Sequence, residues 1–592
     1  MRWAHVLRAG CVVVLVLGAA GACGDDRTSF TQREEVFQID ASTEAAVCGF
    51  QCSVDGRSIV DTCTDEVVET CPPELACGAA RCQEPCAAAA ADRSSNGCEF
   101  YFQLPAIPND PRAPQSCFAA FVVNTSMQPL ELSLEREGKV LDLSKALFRT
   151  NPGDASLLPL EGPVPAGESA ILFVADQTGE VALATTWFDH KYQPCPVGVV
   201  PALVADFATG TRFDASFHLK ANVPASVVTM YPWGGAASYV PSATLLFPPA
   251  TWGKEHVIVN AWESATTGVP SAQIVASEDG TEVTLDPTED VQGGLAVKGT
   301  AARVPTTYHL DKGEFLQLVQ SRELTGSVVV SNKPTTVFGG HSCMMVPSSK
   351  AACEVANQQL PPFEQWGHEY VGVGYRPRVG NEHETMYYRI VAARDGTVLD
   401  YDPAPPPGAP IAMSARQAVT FTSGVGDAFV VRTQDAEHAI YLAAYMANGQ
   451  DVGGYGDPEF VNVVPAGQYL SSYSFYADPT YAETSLVVVR AKAAKARGAN
   501  FEDVWLECAG DLTGWKPIGT RGDYEFMRVD LARGHGAGDR FGDKVCQNGL
   551  QRMRSTGPFT ATLWGWDKYA SYAYPGGMAQ RKLVTTPLVS VQ

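Results

Sequence analysis

The sequence predicts an all-β protein: tandem β-sandwich-like repeats of about 110 residues behind a small disulfide-rich module, with a β-propeller as the alternative. Three observations predict it. From residue 99 onward the apolar runs are short, β-branched and broken by Gly, Pro or Asp-Gly, as at 226–230, 257–261 and 485–490. A unit recurs: Ala221-Asn-Val-Pro224, Ser331-Asn-Lys-Pro334, the stretch from Thr433 to His438, and Ser555-Thr-Gly-Pro558 each lead into a strand-like run, with anchors 110, 104 and 120 residues apart. Eight cysteines crowd into the 51 residues from 48 to 98, a framework that holds a segment too small for an apolar core of its own.

In chain order, Arg2 and Arg8 precede the apolar run 11–20. That run is too short for a bilayer span of about 20 residues. Ala20-Gly21-Ala22 then leads into Cys23. Residues 1–22 therefore read as a lipoprotein signal peptide, with Cys23 lipidated as the first residue of the mature chain. Ala20 stands where such signals usually carry Leu, and Gly24 favours sorting to the outer membrane. The expected location is outside the cell: exported, lipid-anchored to the envelope at the outer membrane, surface-exposed, and touching the membrane through lipid alone. Residues 23–47 are acidic and aperiodic and read as a flexible tether.

The 48–98 module holds Cys48, Cys52, Cys63, Cys71, Cys77, Cys82, Cys86 and Cys98. It contains no His, and its spacings are irregular, so disulfides fit better than zinc; their connectivity stays open. A short helix is expected over 87–91. The other six cysteines are sparse. Pairing in sequence order keeps each bridge inside one repeat and gives Cys117–Cys195, Cys343–Cys353 and Cys508–Cys546.

Residues 99–592 divide into units of roughly 99–215, 216–325, 326–430 and 431–592. Phe247-Pro248-Pro249 with Trp252-Gly253, Leu360-Pro361-Pro362 with Trp366-Gly367, and Val464-Pro465 with Tyr469 recur in step. Their rings are expected in cores or between units. Asp279-Gly280 and Asp395-Gly396 read as tight hairpin turns, because such turns need positive φ. The element ending in Pro reads as a hairpin too.

Ser331-Asn-Lys-Pro334-Thr-Thr-Val-Phe, Gln359-Leu-Pro-Pro362 with Trp366-Gly-His-Glu-Tyr-Val371, Val391-Ala-Ala-Arg-Asp-Gly-Thr397 and Gly456-Asp-Pro-Glu-Phe-Val-Asn-Val-Val-Pro465 resemble, in that order, the IgGFc-binding protein N-terminal domain family. The resemblance covers roughly residues 100–580. It implies an extracellular binding or adhesion role and supplies no catalytic motif. Antibody binding is not carried over with the family's name.

The chain's own residues point the same way. With 43 Lys and Arg against 65 Asp and Glu, a net of −22, it would repel nucleic acid. His368-Glu369 and His383-Glu384 lack the second His of a zinc-protease helix. Gly340-His-Ser342-Cys-Met344 lacks the closing Gly of a nucleophile elbow. Arg521-Gly-Asp523 reads as a turn. No metal site or cofactor is expected, beyond weak calcium binding by acidic loops. The expected function is a lipid-anchored surface binding or adhesion protein, not an enzyme. Its partner would be an extracellular polymer or surface protein met through loops such as 449–459 and 401–412. The alternative is a secreted hydrolase or carbohydrate-active enzyme with dispersed carboxylates.

Overall fold

Strands that carry β-branched and aromatic residues on both faces must be covered on both sides, and the fold does this by pairing sheets and then closing them on one another. The computed structural model describes residues 49–64, 66–108, 115–178, 192–238, 240–495 and 498–588. Cys23, Cys48 and the expected signal and tether lie outside the described residues.

Each unit is built on one long strand that serves two sheets. In the first unit it is Phe217–Tyr231. Its first half pairs with Gly97–Phe102 and Leu132–Arg136, its second with Phe118–Asn124 and Ser242–Leu245. Val328–Met344 does the same in the second unit, its first half between Gly253–Val257 and Thr281–Asp286 and its second between Pro270–Ala276 and Glu354–Leu360. In the third, Phe429–Thr433 and Ile440–Met446 are the two halves, separated by a short 3-10 turn. Gly549–Asp567 serves the fourth.

The prolines locate the crossing point. Pro224 and Pro334 lie inside long strands at the step from one sheet to the next, as does Pro558. A residue without an N–H is tolerated where the ladder is interrupted. The expected hairpin at these positions is therefore a mid-strand bend. The Asp-Gly turns differ from expectation in a related way. Gly280 and Gly396 do adopt positive φ, +62° and +71°. Yet the strands they join do not pair with each other; Pro270–Ala276 and Thr281–Asp286 flank opposite halves of the same long strand. The turn is a corner between sheets.

Each unit ends on an inner strand: Ser242–Leu245, Glu354–Leu360, Glu459–Asn462 and Ala570–Pro575. Each packs against the next, and the fourth packs against the first. Gln358 marks the axis: its side-chain N–H groups reach the carbonyls of Ala243, Phe460 and Ala573 at 2.8, 3.0 and 3.3 Å, one from each of the other inner strands. The units are thus sandwich-like, and they close into a ring, the one property they share with a propeller.

Aromatic pairs fill all four joints. Tyr101 meets Trp252 at 5.7 Å, Trp262 meets Tyr445 at 4.9 Å, Tyr375 meets Trp564 at 5.1 Å, and Tyr476 meets Phe121 at 4.7 Å. The ring is sealed where residues 93–95 meet residues 578–580. Ser94 bridges Ala579, with Ser95 N–H donating to Met578 O at 2.9 Å and Gln580 N–H to Arg93 O at 2.6 Å. The tail beyond crosses to the second and third units, through Lys582–Glu364, Arg394 to Pro587 O, and Leu588 N–H to Glu255.

The cysteine-rich module is a three-stranded sheet (Phe50–Cys52, Ser58–Asp61, Val67–Thr70), a small hairpin and the helix Pro85–Asp92. Cys52–Cys77, Cys71–Cys82 and Cys86–Cys98 are bonded, and Cys63 is also in a disulfide. The body holds Cys117–Cys195, Cys343–Cys353 and Cys508–Cys546, with Cα separations of 4.7, 5.1 and 4.9 Å, inside disulfide range.

Candidate binding surface

The residue types that most invite a catalytic reading are absorbed by the scaffold. His256, Tyr370 and Tyr473 occupy the same place in their units, three residues after Gly253, Gly367 and Leu470. Tyr370 accepts from Gly367 N–H at 3.1 Å and donates to Ile440 O at 2.6 Å. Tyr473 accepts from Leu470 N–H at 3.0 Å and donates to Phe559 O at 2.5 Å. His256 makes a single side-chain bond there, between Nε2 and the Thr335 hydroxyl at 3.3 Å, and burial lowers its pKa to about 4. These side chains tie the start of a unit to the bend in its long strand, a structural duty that any polar ring can perform.

His341 and Ser342 lie within Val328–Met344 rather than on a strand-to-helix turn. His341 accepts from Cys343 N–H at 3.0 Å, Ser342 accepts from Val269 N–H at 3.0 Å, and burial takes the imidazole down to about 3. The two His-Glu pairs are split by burial. Glu384 is bonded to Arg378 at 2.6 Å and to Tyr375 at 2.9 Å, whereas His383 is exposed. Glu369 is buried against Arg432 at 2.5 Å, and burial raises its carboxyl to about 7. The Arg521-Gly-Asp523 turn is engaged from both ends, by Asp400 and by Arg432. Among the described residues, no group of three or more His, Cys, Asp or Glu side chains is arranged to hold a metal ion.

What the scaffold leaves exposed is a set of loops at one end of the inner strands. The 449–457 loop is held on three sides. Asn448 N–H donates to Val346 O at 2.8 Å, and Lys350 pairs with Asp451 at 2.8 Å. The buried Arg378 guanidinium donates to the carbonyls of Ala447 and Tyr455 at 2.7 and 2.9 Å. Gly456 N–H donates to Asp567 O and Tyr569 N–H to Gly454 O, both at 2.8 Å, locking the loop to the 567–570 hairpin tip. Gly454 has φ +83°, and any Cβ there would strike the Tyr569 ring at 2.7 Å. Tyr455 is 50% exposed, Tyr569 36% and Val379 54%. Tyr455 and Tyr569 therefore stand on backbone that is fixed from beneath. Such side chains bind with little ordering cost, because the entropy of the loop is already spent.

The 449–459 loop was legible as a candidate in the sequence. Tyr569 and Val379 were not, because Tyr569 comes from the fourth unit and both lie far from the loop in sequence. The 401–412 loop is exposed, with Ile411 at 68%. It is braced by Tyr401 donating to Pro410 O at 2.9 Å and by Asp402 accepting from Thr520 N–H at 2.8 Å.

The described residues form a disulfide-bonded ring of sandwich-like units, with Tyr455 and Tyr569 exposed on braced loops. Residues 242–565 match the family described as IgGFc binding protein. That is more than half of the chain, and the chain belongs to this family. A 130-residue stretch is 30% identical to the IgGFc-binding protein of Homo sapiens, covering 22% of this chain and 2% of the human protein. No solved structure matches. The family match opens on the inner strand of the first unit, so the strands from Gly97–Phe102 to Phe217–Tyr231 lie outside it although they follow the same two-sheet plan. No helix among the described residues is long and apolar enough to cross a membrane.

Proposed function

We propose that the chain is a non-catalytic binding and adhesion protein of the cell surface, tethered through lipid on Cys23. It would hold an extracellular polymer or surface protein against its loop face. The observation that carries the reading is the braced Tyr455–Tyr569 face. Two exposed rings stand on loops whose backbone is pinned by Arg378, Gly454 and Gly456, while His341, Ser342, Glu369 and Glu384 are held by structural partners. Loops on rigid scaffolds are where binding residues concentrate. Membership of a family named for binding supports the same reading, as do the disulfides, which belong to oxidising compartments.

Two measurements test it. Crosslinking of the full chain in intact envelopes should capture a partner, and Tyr455→Ala with Tyr569→Ala should reduce that capture at least tenfold without lowering the unfolding temperature. Equal capture by the variant counts against the loop face. Labelling with a fatty-acid analogue should mark the parent and leave Cys23→Ser unlabelled and soluble; equal labelling of the two would reject the anchor.

A further inference from the structure

The charge of the chain is unevenly placed. Residues 483–582 carry fifteen Lys and Arg against eleven Asp and Glu, a net of +4 in a chain of net −22. Part of that excess lines a groove of about 380 Å³ on the outside of the fourth unit, bounded by Thr513, Lys516, Phe526, Arg528, Arg540 and Phe541. Its size is within the range of small-ligand sites, about 300–1,000 Å³.

The groove's charges are not all spent. Arg528 is neutralised by Glu382 at 3.0 Å and donates to Gly374 O at 2.9 Å. Asp539 accepts from Asp530 N–H at 2.9 Å and lies 3.7 Å from Arg533. Lys516 and Arg540 are exposed and have no ion pair among the described residues. Lys516 Nζ sits 5.9 Å from the Phe526 ring centre, and the Arg528 guanidinium lies 5.5 Å from the same ring. An apolar floor thus lies beneath a cationic rim. The wall that carries Arg540 is the hairpin of Arg540–Phe541 with Lys544–Val545. It is fastened by Cys508–Cys546 and by Cys546 N–H donating to Asp539 O at 2.9 Å, so the rim is held in place before any ligand arrives.

We propose that this groove binds an acidic polysaccharide, the carboxylates or sulfates meeting Lys516 and Arg540 and the apolar sugar faces meeting the half-buried Phe541 ring. Charge-assisted hydrogen bonds to Lys and Arg are the strong class, and Arg presents a fork that fits a carboxylate or sulfate. An acidic peptide fits less well. Peptides add to sheet edges, and the neighbouring edge strand Lys516–Ile518 carries Pro517 at its centre, which interrupts a new ladder. The acidic remainder of the ring does not prevent binding, because its field is screened beyond about 8 Å at physiological salt. The inference deepens the proposed binding function and rests on it.

The test is binding of the full chain to immobilised alginate, dextran sulfate, neutral dextran, poly-glutamate and oligo-thymidylate. Alginate or dextran sulfate should be retained, more weakly as salt rises, and neutral dextran should not. Lys516→Ala with Arg540→Ala should weaken retention at least about tenfold, whereas Lys139→Ala on the first unit should not. Both groove residues are exposed and unpaired, so the variant keeps its unfolding temperature. Equal binding by the double variant, equal retention of neutral dextran, or preference for poly-glutamate or oligo-thymidylate overturns the proposal. A partner still captured from envelopes through the Tyr455 face, with no acidic polysaccharide bound, would sink the groove alone. Shortening of the polysaccharide would instead overturn the non-catalytic reading.

Discussion

Replacing Asp457 with Asn should flatten the decline in stability as pH rises. Asp457, Glu354 and Glu459 lie at the ring axis, 1% exposed or less. Burial raises Asp457 to about 7. Burial also raises Glu354 well above the usual range, with the neighbouring Asp457 and Glu459 adding to it, and burial does the same to Glu459. Arg378 is the cation that opposes the shift at Glu354 and Asp457. An acid whose folded pKa is raised favours folding below its unfolded pKa, and that advantage is lost as pH rises through the folded value. From 3.8 to about 7 the shift of Asp457 corresponds to about 4 kcal/mol at its limit. Roughly 2–3 kcal/mol of this falls between pH 5 and pH 8. Urea unfolding at both pH values measures it. The parent should lose at least that much, since the two glutamates add to it, and the Asn variant should lose correspondingly less. An unchanged pH slope in the variant would refute the assignment of a proton-holding acid to the axis.

Three further outcomes follow from the same structure. A Cβ at Gly253 would lie 2.5 Å from the Cβ of Pro362, at the joint between two units, so Gly253→Ala should cost about 1–3 kcal/mol in urea unfolding. Glu384→Ala leaves the buried Arg378 unpaired and should destabilise by about 3–5 kcal/mol while abolishing the bracing of the 449–457 loop, visible as faster amide exchange at Tyr455. Replacing both Cys508 and Cys546 with Ser opens a cross-link across a separation of 38 residues and should cost about 3–4 kcal/mol, read by thermal unfolding against the parent.

The all-β class and the repeat were legible because both are local. Short β-branched runs and the recurring Pro and Trp-Gly positions need only neighbouring residues to be recognised. What each motif does was less legible. Pro334 and Asp279-Gly280 look the same whether the chain reverses in a hairpin or steps between sheets. The choice is made by the partner strands, which are distant in sequence. The ring is harder still. Gln358 reads as an ordinary strand residue until three carbonyls from three other units surround it. Glu459 breaks the expectation that buried strands are apolar, for the same reason. Of the candidate surface, the Gly-rich loop around Tyr455 announced itself through its composition. Tyr569, Val379 and the Lys516–Arg540 groove depend on loops meeting across units or across a disulfide.

Closure of the ring is the claim on which the axis depends, and a pair of cysteines tests it most directly. Ser94 and Ala579 face each other as a non-hydrogen-bonded antiparallel pair, flanked by the bonds from Ser95 N–H to Met578 O and from Gln580 N–H to Arg93 O. Such pairs hold their Cα atoms about 4.5 Å apart, within reach of a disulfide. In the variant Ser94→Cys with Ala579→Cys, intact-mass measurement under non-reducing conditions should find the two thiols joined, with a raised unfolding temperature that falls on reduction. Two free thiols in the folded, oxidised protein would contradict the closed ring.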